Sequence, residues 1–458
     1  MKIYNVLDYG IVNDGKTLNS VALQKLIDYC FCQGGGKLVF SKGEYVLSTV
    51  FLKSNVHIVL EKDAVILGAE SFYDYAPEEK VDYPLYQDSS HSFFHCSLIV
   101  GIGCENVSIT GEGKIDMRSI WDEDNVRKIK HRGPKCIALK ECNNVVISRI
   151  GIYNATDLAV YFAGCKDVEI CNLNLRVYID GISPDNSSNV RIHDCAIEAG
   201  DDGIVFKSSY TLNKIGVCED IEVYNCKVKS RCNAVKFGTE SNGGFKNINI
   251  QNIDIYETRI SGIAIESVDG AIIDNINIKN ITMRNVNAPI FIHLGERMRG
   301  PENLEVGEIR NITIENLTAE GPYVPYDVIA WDYYAFIKKD FNQDPKKYFP
   351  QAGVEGVVGK DVFQITSNIC GLKNKPLKNI KLRNIRLLLE GGVEGFNEYV
   401  PEGAKDYPEA YVYGWILPAK GIYFRHIDGL ILEDIVVKTY REDARKDFVF
   451  ENVKGNIQ

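Results

Sequence analysis

The chain lacks several things that would have decided its class at once. No apolar run reaches the ~18–20 residues that a membrane-spanning helix needs. Cations are outnumbered, with 52 Lys and Arg against 62 Asp and Glu and a formal net charge of −10. That balance excludes nucleic acid as a general partner, because a phosphate backbone demands a Lys/Arg surplus. Paired metal-binding cysteines are also missing. Cys30 and Cys32 stand two apart, with no second pair and no suitable His beside them, so neither a metal nor a cofactor is expected. The opening Met1-Lys2-Ile3-Tyr4-Asn5-Val6 carries no basic, long-apolar, small-residue succession, so no secretory signal is visible. The 13 cysteines are odd in number and fall mostly in apolar segments such as those around Cys136, Cys165 and Cys195. They are read as reduced, buried thiols. The expected location is therefore cytoplasmic, with a secreted mature form left open and the oligomeric state undetermined.

What the chain has in abundance is a short repeating strand. Polar residues, often Asn or Asp, are followed by apolar-x-apolar. Copies include Val107-Ser108-Ile109, Val145-Val146-Ile147, Val168-Glu169-Ile170, Val190-Arg191-Ile192 and Ile221-Glu222-Val223. Later ones are Ile248-Asn249-Ile250, Ile276-Asn277-Ile278, Ile312-Thr313-Ile314, Ile380-Lys381-Leu382 and Leu430-Ile431-Leu432. The middle copies recur about every 22–23 residues, and period-2 alternation marks half-buried strands. Helical periodicity between copies is nearly absent, which argues against βαβ units. A propeller would want a period nearer ~40–50. The pattern predicts an all-β fold, a single right-handed parallel β-helix over residues 1–458.

One helix is predicted near the start. Leu23, Leu26, Ile27 and Cys30 follow i, i+3, i+4, i+7 spacing, Asn19 or Ser20 is placed to cap it, and Gly34-Gly35-Gly36 ends it. It is read as the cover for the first coil, within a cap of about residues 1–50, because an open solenoid end exposes core and strand edges. An aromatic-rich stretch from about 320 to 360, with Tyr323, Tyr326, Trp331, Tyr333, Tyr334, Phe336, Tyr348 and Phe349, is predicted to be an elaborated loop.

Laying coils over one another puts side chains in columns. Asp180-Gly181-Ile182 falls on Asp202-Gly203-Ile204, then on Asn233-Ala234-Val235, Ser261-Gly262-Ile263 and Ala288-Pro289-Ile290. Equivalent positions on stacked strands lie about 4.8 Å apart, so Asp180 and Asp202 should be neighbours with Asp201 beside them. Carboxyls gathered in this way repel, and at least one should hold its proton to higher pH, the condition for an acid beside a base. A calcium site or plain Asp-Asp-Gly turn chemistry remains the alternative on spacing alone. Two outward columns follow, one with Lys236 and Phe291 and another with Lys207, Glu266 and His293; together with Asn233, which falls on the Asp202 position, these are the candidate substrate-binding residues.

These residues carry a resemblance. The chain resembles glycoside hydrolase family 28, the polygalacturonase-like proteins of the pectin-lyase-like right-handed β-helix superfamily. The resemblance rests on Leu7-Asp8-Tyr9-Gly10 through Asp14-Gly15, on Ala199-Gly200-Asp201-Asp202-Gly203-Ile204, and on Leu417-Pro418-Ala419-Lys420-Gly421-Ile422-Tyr423-Phe424-Arg425-His426. It implies an inverting O-glycosyl hydrolase acting on a plant-type poly- or oligosaccharide. Asp201 would protonate the leaving oxygen, and Asp180 and Asp202 would activate water. Two motifs depart from the family pattern. Its Gly-His-Gly falls on Cys232-Asn233-Ala234, and its Arg-Ile-Lys falls on Ala264-Ile265-Glu266. The carboxylates survive and the cations that would hold a galacturonate do not, so the expected substrate unit is not plain galacturonate. Lys207 and Lys236 are candidates for a displaced clamp, or else each pairs with a carboxylate such as Asp185 or Glu266. A uronate lyase or epimerase, and a carbohydrate-binding β-helix without catalysis, are the competing readings.

Overall fold

The computed structural model describes residues 1–87, 89–124, 132–321, 364–396 and 398–457. Nearly every element is a short strand pairing in parallel with the strand one coil on. The chain divides into two compact units, Met1–Val228 with Asn242–Asn249, and Lys229–Ser241 with Ile250–Gln458. The sequence predicts one domain over 1–458; each of the two units is itself built of parallel β-helical coils.

In the first unit each coil contributes one strand to each of three stacks. One stack registers Val107, Val145, Val168, Val190 and Ile221 in line. A second aligns Ile115, Ile152, Leu175 and Ile197. The third aligns Ile99, Ile137, Val160, Ile182 and Ile204. All these side chains are buried, so the period-2 apolar pattern becomes a continuous column of Ile, Val and Leu. β-Branched residues suit this pleated, close-stacked surface.

The corners between strands are made by asparagine in the left-handed region. Asn55, Asn106 and Asn144 have φ of 62°, 56° and 53°. Asparagine tolerates this conformation better than other side-chain-bearing residues, and stacking adds a second reason for it. The Asn106 amide donates to Asn55 at 2.9 Å and that of Asn144 to Asn106 at 3.3 Å. The polar residue heading each repeat is thus a corner residue.

The helix Ser20–Cys32 buries Leu23, Leu26, Ile27 and Cys30. Its start differs from the expected cap. Asn19 makes no side-chain capping bond; its side chain instead holds Val12, accepting from the Val12 N–H at 2.8 Å and donating to the Val12 carbonyl at 2.9 Å. Ser20 is engaged with Ser48. The helix ends as predicted, with Gly34 and Gly35 at positive φ. At Gly35 a Cβ would sit 2.3 Å from the Asn55 carbonyl, so the coil above approaches too closely for any side chain.

The second unit repeats the scheme. Ile276, Ile312, Ile380 and Leu430 align in one stack, and Ile292, Ile369, Phe424 and Phe450 in another. Asn280, Asn316 and Asn384 form its corner ladder, at φ of 58°, 57° and 50°. The predicted aromatic loop falls mostly on 322–363, outside the described residues. All 13 cysteines are free thiols, 11 of them buried, with Cys32 exposed and Cys232 half-buried. Among the described residues no helix is long and apolar enough to cross a membrane.

Candidate active site

Asp180 lies between the strands Asn174–Val177 and Ile182–Asp185; Asp201 and Asp202 lie one coil later, between Ala196–Ala199 and Ile204–Ser208. Because Ile182 pairs with Ile204, the residue two before each is brought beside its counterpart. Backbone bonds fix this turn-on-turn contact: the Gly181 N–H reaches the Asp202 carbonyl at 3.0 Å, and the Ile182 N–H the Gly203 carbonyl at 3.0 Å. A Cβ on Gly181 would lie 2.5 Å from the Gly203 carbonyl, so a glycine after Asp180 is a condition of the stacking.

The three carboxyls gather as the column alignment predicts. One oxygen from each lies within 4.8 Å of those from the other two. Asp180 and Asp202 are buried, while Asp201 keeps 35% of its side chain exposed. The Asp202 N–H points at the Asp180 carboxyl at 3.3 Å, and the Lys207 ammonium lies 3.4 Å from the same carboxyl. Burial pushes the Asp180 carboxyl up to about 7, with Asp201 and Asp202 adding to the rise and Lys207 and Arg132 opposing it. Desolvation outweighs the ion pair because the group has left water entirely. Lys207 therefore faces Asp180 and not Asp185, the other partner the sequence allows. The Asp185 carboxylate is occupied by the Tyr161 hydroxyl at 2.9 Å and by the Ser209 N–H at 2.9 Å and hydroxyl.

Two residues of this centre escaped the sequence reading. Arg132 reaches Asp201 at 3.8 Å and Asp157 at 3.6 Å. Asp157 is fully buried and accepts from the Ser90 hydroxyl and the Leu158 N–H, both at 2.9 Å. Asp157 was within reach of the column argument: Val160 pairs with Ile182, which sets Asp157 one residue before the position equivalent to Asp180. Arg132 comes from a segment without repeat, and no periodicity points to it.

The remaining candidates belong to the second unit, and there the structure corrects an expectation. They do not line an open groove. Asn233, Lys236, Glu266, Phe291 and His293 are all buried. The register is as aligned, with Asn233 on Ser261 and Lys236 on Ala264, but residues of a later segment lie over the column. Lys236 is 2.9 Å from Glu409 and 3.7 Å from Glu266. Phe291 packs in a cluster with Ile260, Ala264, Ala288, Ile365 and Ala410. His293 bonds the Tyr413 hydroxyl at 2.7 Å, and burial pushes its imidazole down to about 3, so it stays neutral. The register was read correctly; the cover comes from residues outside the repeat.

The cluster keeps a proton into neutral pH, held on Asp180, whose carboxyl burial pushes up to about 7. Such a group can hold one water between two of its oxygens, the arrangement that general acid–base chemistry needs. The same oxygens are spaced to hold a cation, although Lys207 and Arg132 already bring positive charge there. Glu169 with Cys171 and His193, and Glu402 with His426 and Glu451, are the other groups among the described residues with ligand-like spacing.

A parallel β-helix with a carboxyl cluster raised from adjacent turns defines the class: a pectin-lyase-like right-handed β-helix. The chain belongs to glycosyl hydrolases family 28, whose family model matches residues 84–323. A probable polygalacturonase of Vitis vinifera is 26% identical over 281 residues, covering 57% of this chain and 56% of the relative. A probable rhamnogalacturonase A of Aspergillus niger is 26% identical over 214 residues, 45% of this chain and 42% of the relative. The chain thus spans about half the length of the curated relatives it matches. Among solved structures, an exopolygalacturonase from Thermotoga maritima superposes with a TM-score of 0.67 at 19% identity, covering 94% of this chain and 92% of the other. That likeness bears on the fold.

Proposed function

We propose that this chain hydrolyses a glycosidic bond in a pectin-type poly- or oligosaccharide, with inversion at the anomeric carbon. Asp201 donates the proton to the leaving oxygen, while Asp180 and Asp202 hold and deprotonate the attacking water. The observation that carries the reading is the carboxyl cluster, with one oxygen of each residue within 4.8 Å of the others and only Asp201 substantially exposed. The exposed member is the one that can meet a substrate oxygen, and the buried pair supplies a protected place for water. Inverting pairs generally stand about 6.5–9.5 Å apart, wider than this cluster. Inversion here therefore rests on a water shared by Asp180 and Asp202, and its support is the family resemblance.

The substrate unit at the cleaved bond is neutral or only partly uronic. The positions where the family pattern has its cations are Ala264 and Glu266. The candidate replacements are engaged already, Lys207 with Asp180 and Lys236 with Glu409 and Glu266. A relative named as a rhamnogalacturonase fits a mixed substrate, as one named as a polygalacturonase fits a uronic one. A cytoplasmic setting, in which oligosaccharides and not wall polymer are met, belongs to the same proposal and is supported by the free thiols.

Proton NMR of the first anomer released tests the mechanism. A product of configuration opposite to the cleaved bond is expected, and a retained configuration would replace the shared-water scheme with a covalent one.

A further inference from the structure

The strands Lys166–Cys171 and Ser188–His193 carry, on their outer face, a set of side chains that the hydrolytic scheme does not use. Cys171 pairs with His193 across adjacent coils, and Glu169, two residues before Cys171, points the same way. One donor atom from each lies within 4.8 Å of those of the other two. The group meets solvent, with 35% of the Glu169 side chain and 14% of that of His193 exposed. Cys171 is buried to 9% beside them. All three belong to the first unit. Each donor is also held from behind. His193 Nδ1 lies 2.7 Å from Asp194 Oδ2, and the imidazole stacks on the Tyr224 ring with centroids 4.7 Å apart. An ionised carboxylate only accepts, so Nδ1 carries a proton, and in the neutral ring Nε2 is left as a bare lone pair. It faces Glu169 Oε1 at 3.4 Å, acceptor towards acceptor. The other oxygen of Glu169, Oε2, takes the Arg191 guanidinium at 2.9 Å.

We propose that Glu169, Cys171 and His193 form a zinc-binding site that ties two coils together, with a fourth position open to water. Three observations carry it. The 3.4 Å between His193 Nε2 and Glu169 Oε1 is long for an N–H···O bond, which spans about 2.7–3.2 Å. It is the separation of two ligands each about 2.0–2.1 Å from one ion at a tetrahedral angle. Thiolate, imidazole and carboxylate together suit zinc, whereas magnesium and calcium take oxygen donors. Asp194 stands behind His193 as the partner that fixes the tautomer and direction of a metal-bound imidazole, and Arg191 fixes the carboxylate in the same way. On binding, the Cys171 thiol loses its proton to solvent and its sulfur bonds the ion. Tight Cys pairs, the usual mark of such a site in a sequence, are absent because the donors come from neighbouring coils. The competing arrangement is an imidazolium that bridges Glu169 and Asp194, and it gives the thiol no part.

The test reads metal binding and not turnover. Metal-free protein, its thiols kept reduced by a phosphine, is titrated with zinc chloride by calorimetry and with cobalt chloride by absorption. The cobalt protein is expected to show a thiolate-to-metal charge-transfer band. Cys171→Ser should lose the band, and Cys32→Ser, which removes the exposed thiol, should keep it. His193→Ala and Glu169→Gln should each weaken zinc binding at least ~10-fold, and Asp194→Ala about 10-fold. His426→Ala, in another group of ligand-like spacing, should leave that binding unchanged. A wild type without the band, which is the result for a bridging imidazolium, overturns the proposal. So does a band that persists in Cys171→Ser, or equal zinc affinity in the wild type and His193→Ala. If Cys171→Ser does not stay folded, Glu169→Gln at the exposed edge decides: a ~10-fold loss of zinc affinity supports the site, and unchanged affinity overturns it.

Discussion

A single buried carboxyl sets the chemistry available to the cluster. Asp180 titrates at about 7 because burial outweighs the attraction of Lys207. Below that pH Asp180 holds its proton and cannot take one from water; above it the carboxylate is free to act as the base, so the rate should climb as pH rises through about 7. Lys207→Met removes a cation that favours the ionised form, so the pKa of Asp180 rises and the ascending limb moves to higher pH. A pH–kcat/KM profile checks this, and a limb that stays in place or moves down would separate Lys207 from the titration. At this scale the sequence was informative where the repeat reached. Asp180 and Asp202 could be paired because one coil of 22 residues separates them. Arg132 and Glu409 could not be foreseen. Glu409 lies 173 residues from Lys236, and its segment lacks the alternation that would betray a buried face.

The elements are held by what repeats at their ends. In the second unit the Asn316 amide donates to Asn280 at 3.0 Å and the Asn384 amide to Asn316 at 2.8 Å. Asn316→Ala would place an alanine at φ 57° and break both rungs, at a cost of about 1–2 kcal/mol. Asn316→Gly removes the backbone strain and should recover part of that loss. Urea midpoints of the three proteins check the ordering, and an alanine variant as stable as the wild type would make the ladder incidental. The strand pattern was legible because Ile, Val and Leu alternate along every copy; the corner ladder was visible only as a polar residue heading each repeat. The start of the helix Ser20–Cys32 was placed by the sequence, with Asn19 at its N-cap position, but the capping bond is absent because Asn19 spends its side chain on Val12, a partner that local capping rules do not consider.

At the scale of the whole molecule, stability comes from apolar columns and carries no cross-link among the described residues. The cysteines are small buried hydrophobes; burial pushes the Cys136, Cys218 and Cys370 thiols well above their ordinary range, which keeps them protonated and inert. Dithiothreitol should therefore leave the melting temperature unchanged, and a fall of several degrees would reveal a disulfide that the structure does not contain. The fold class was readable from the period of the repeat. The division into two compact units was not, because the strand pattern runs through both without a change of composition.

The central claim is hydrolysis by the carboxyl cluster. Reducing-sugar release from a panel of neutral and uronic pectin oligosaccharides, measured for the wild type and for Asp180→Asn, Asp201→Asn and Asp202→Asn, tests it most directly. Turnover of mixed or neutral oligosaccharides is predicted, above that of unsubstituted galacturonate oligomers, with each variant at least ~10²-fold slower. Near-normal turnover in all three variants, or no turnover of any oligosaccharide by the wild type, would contradict the account.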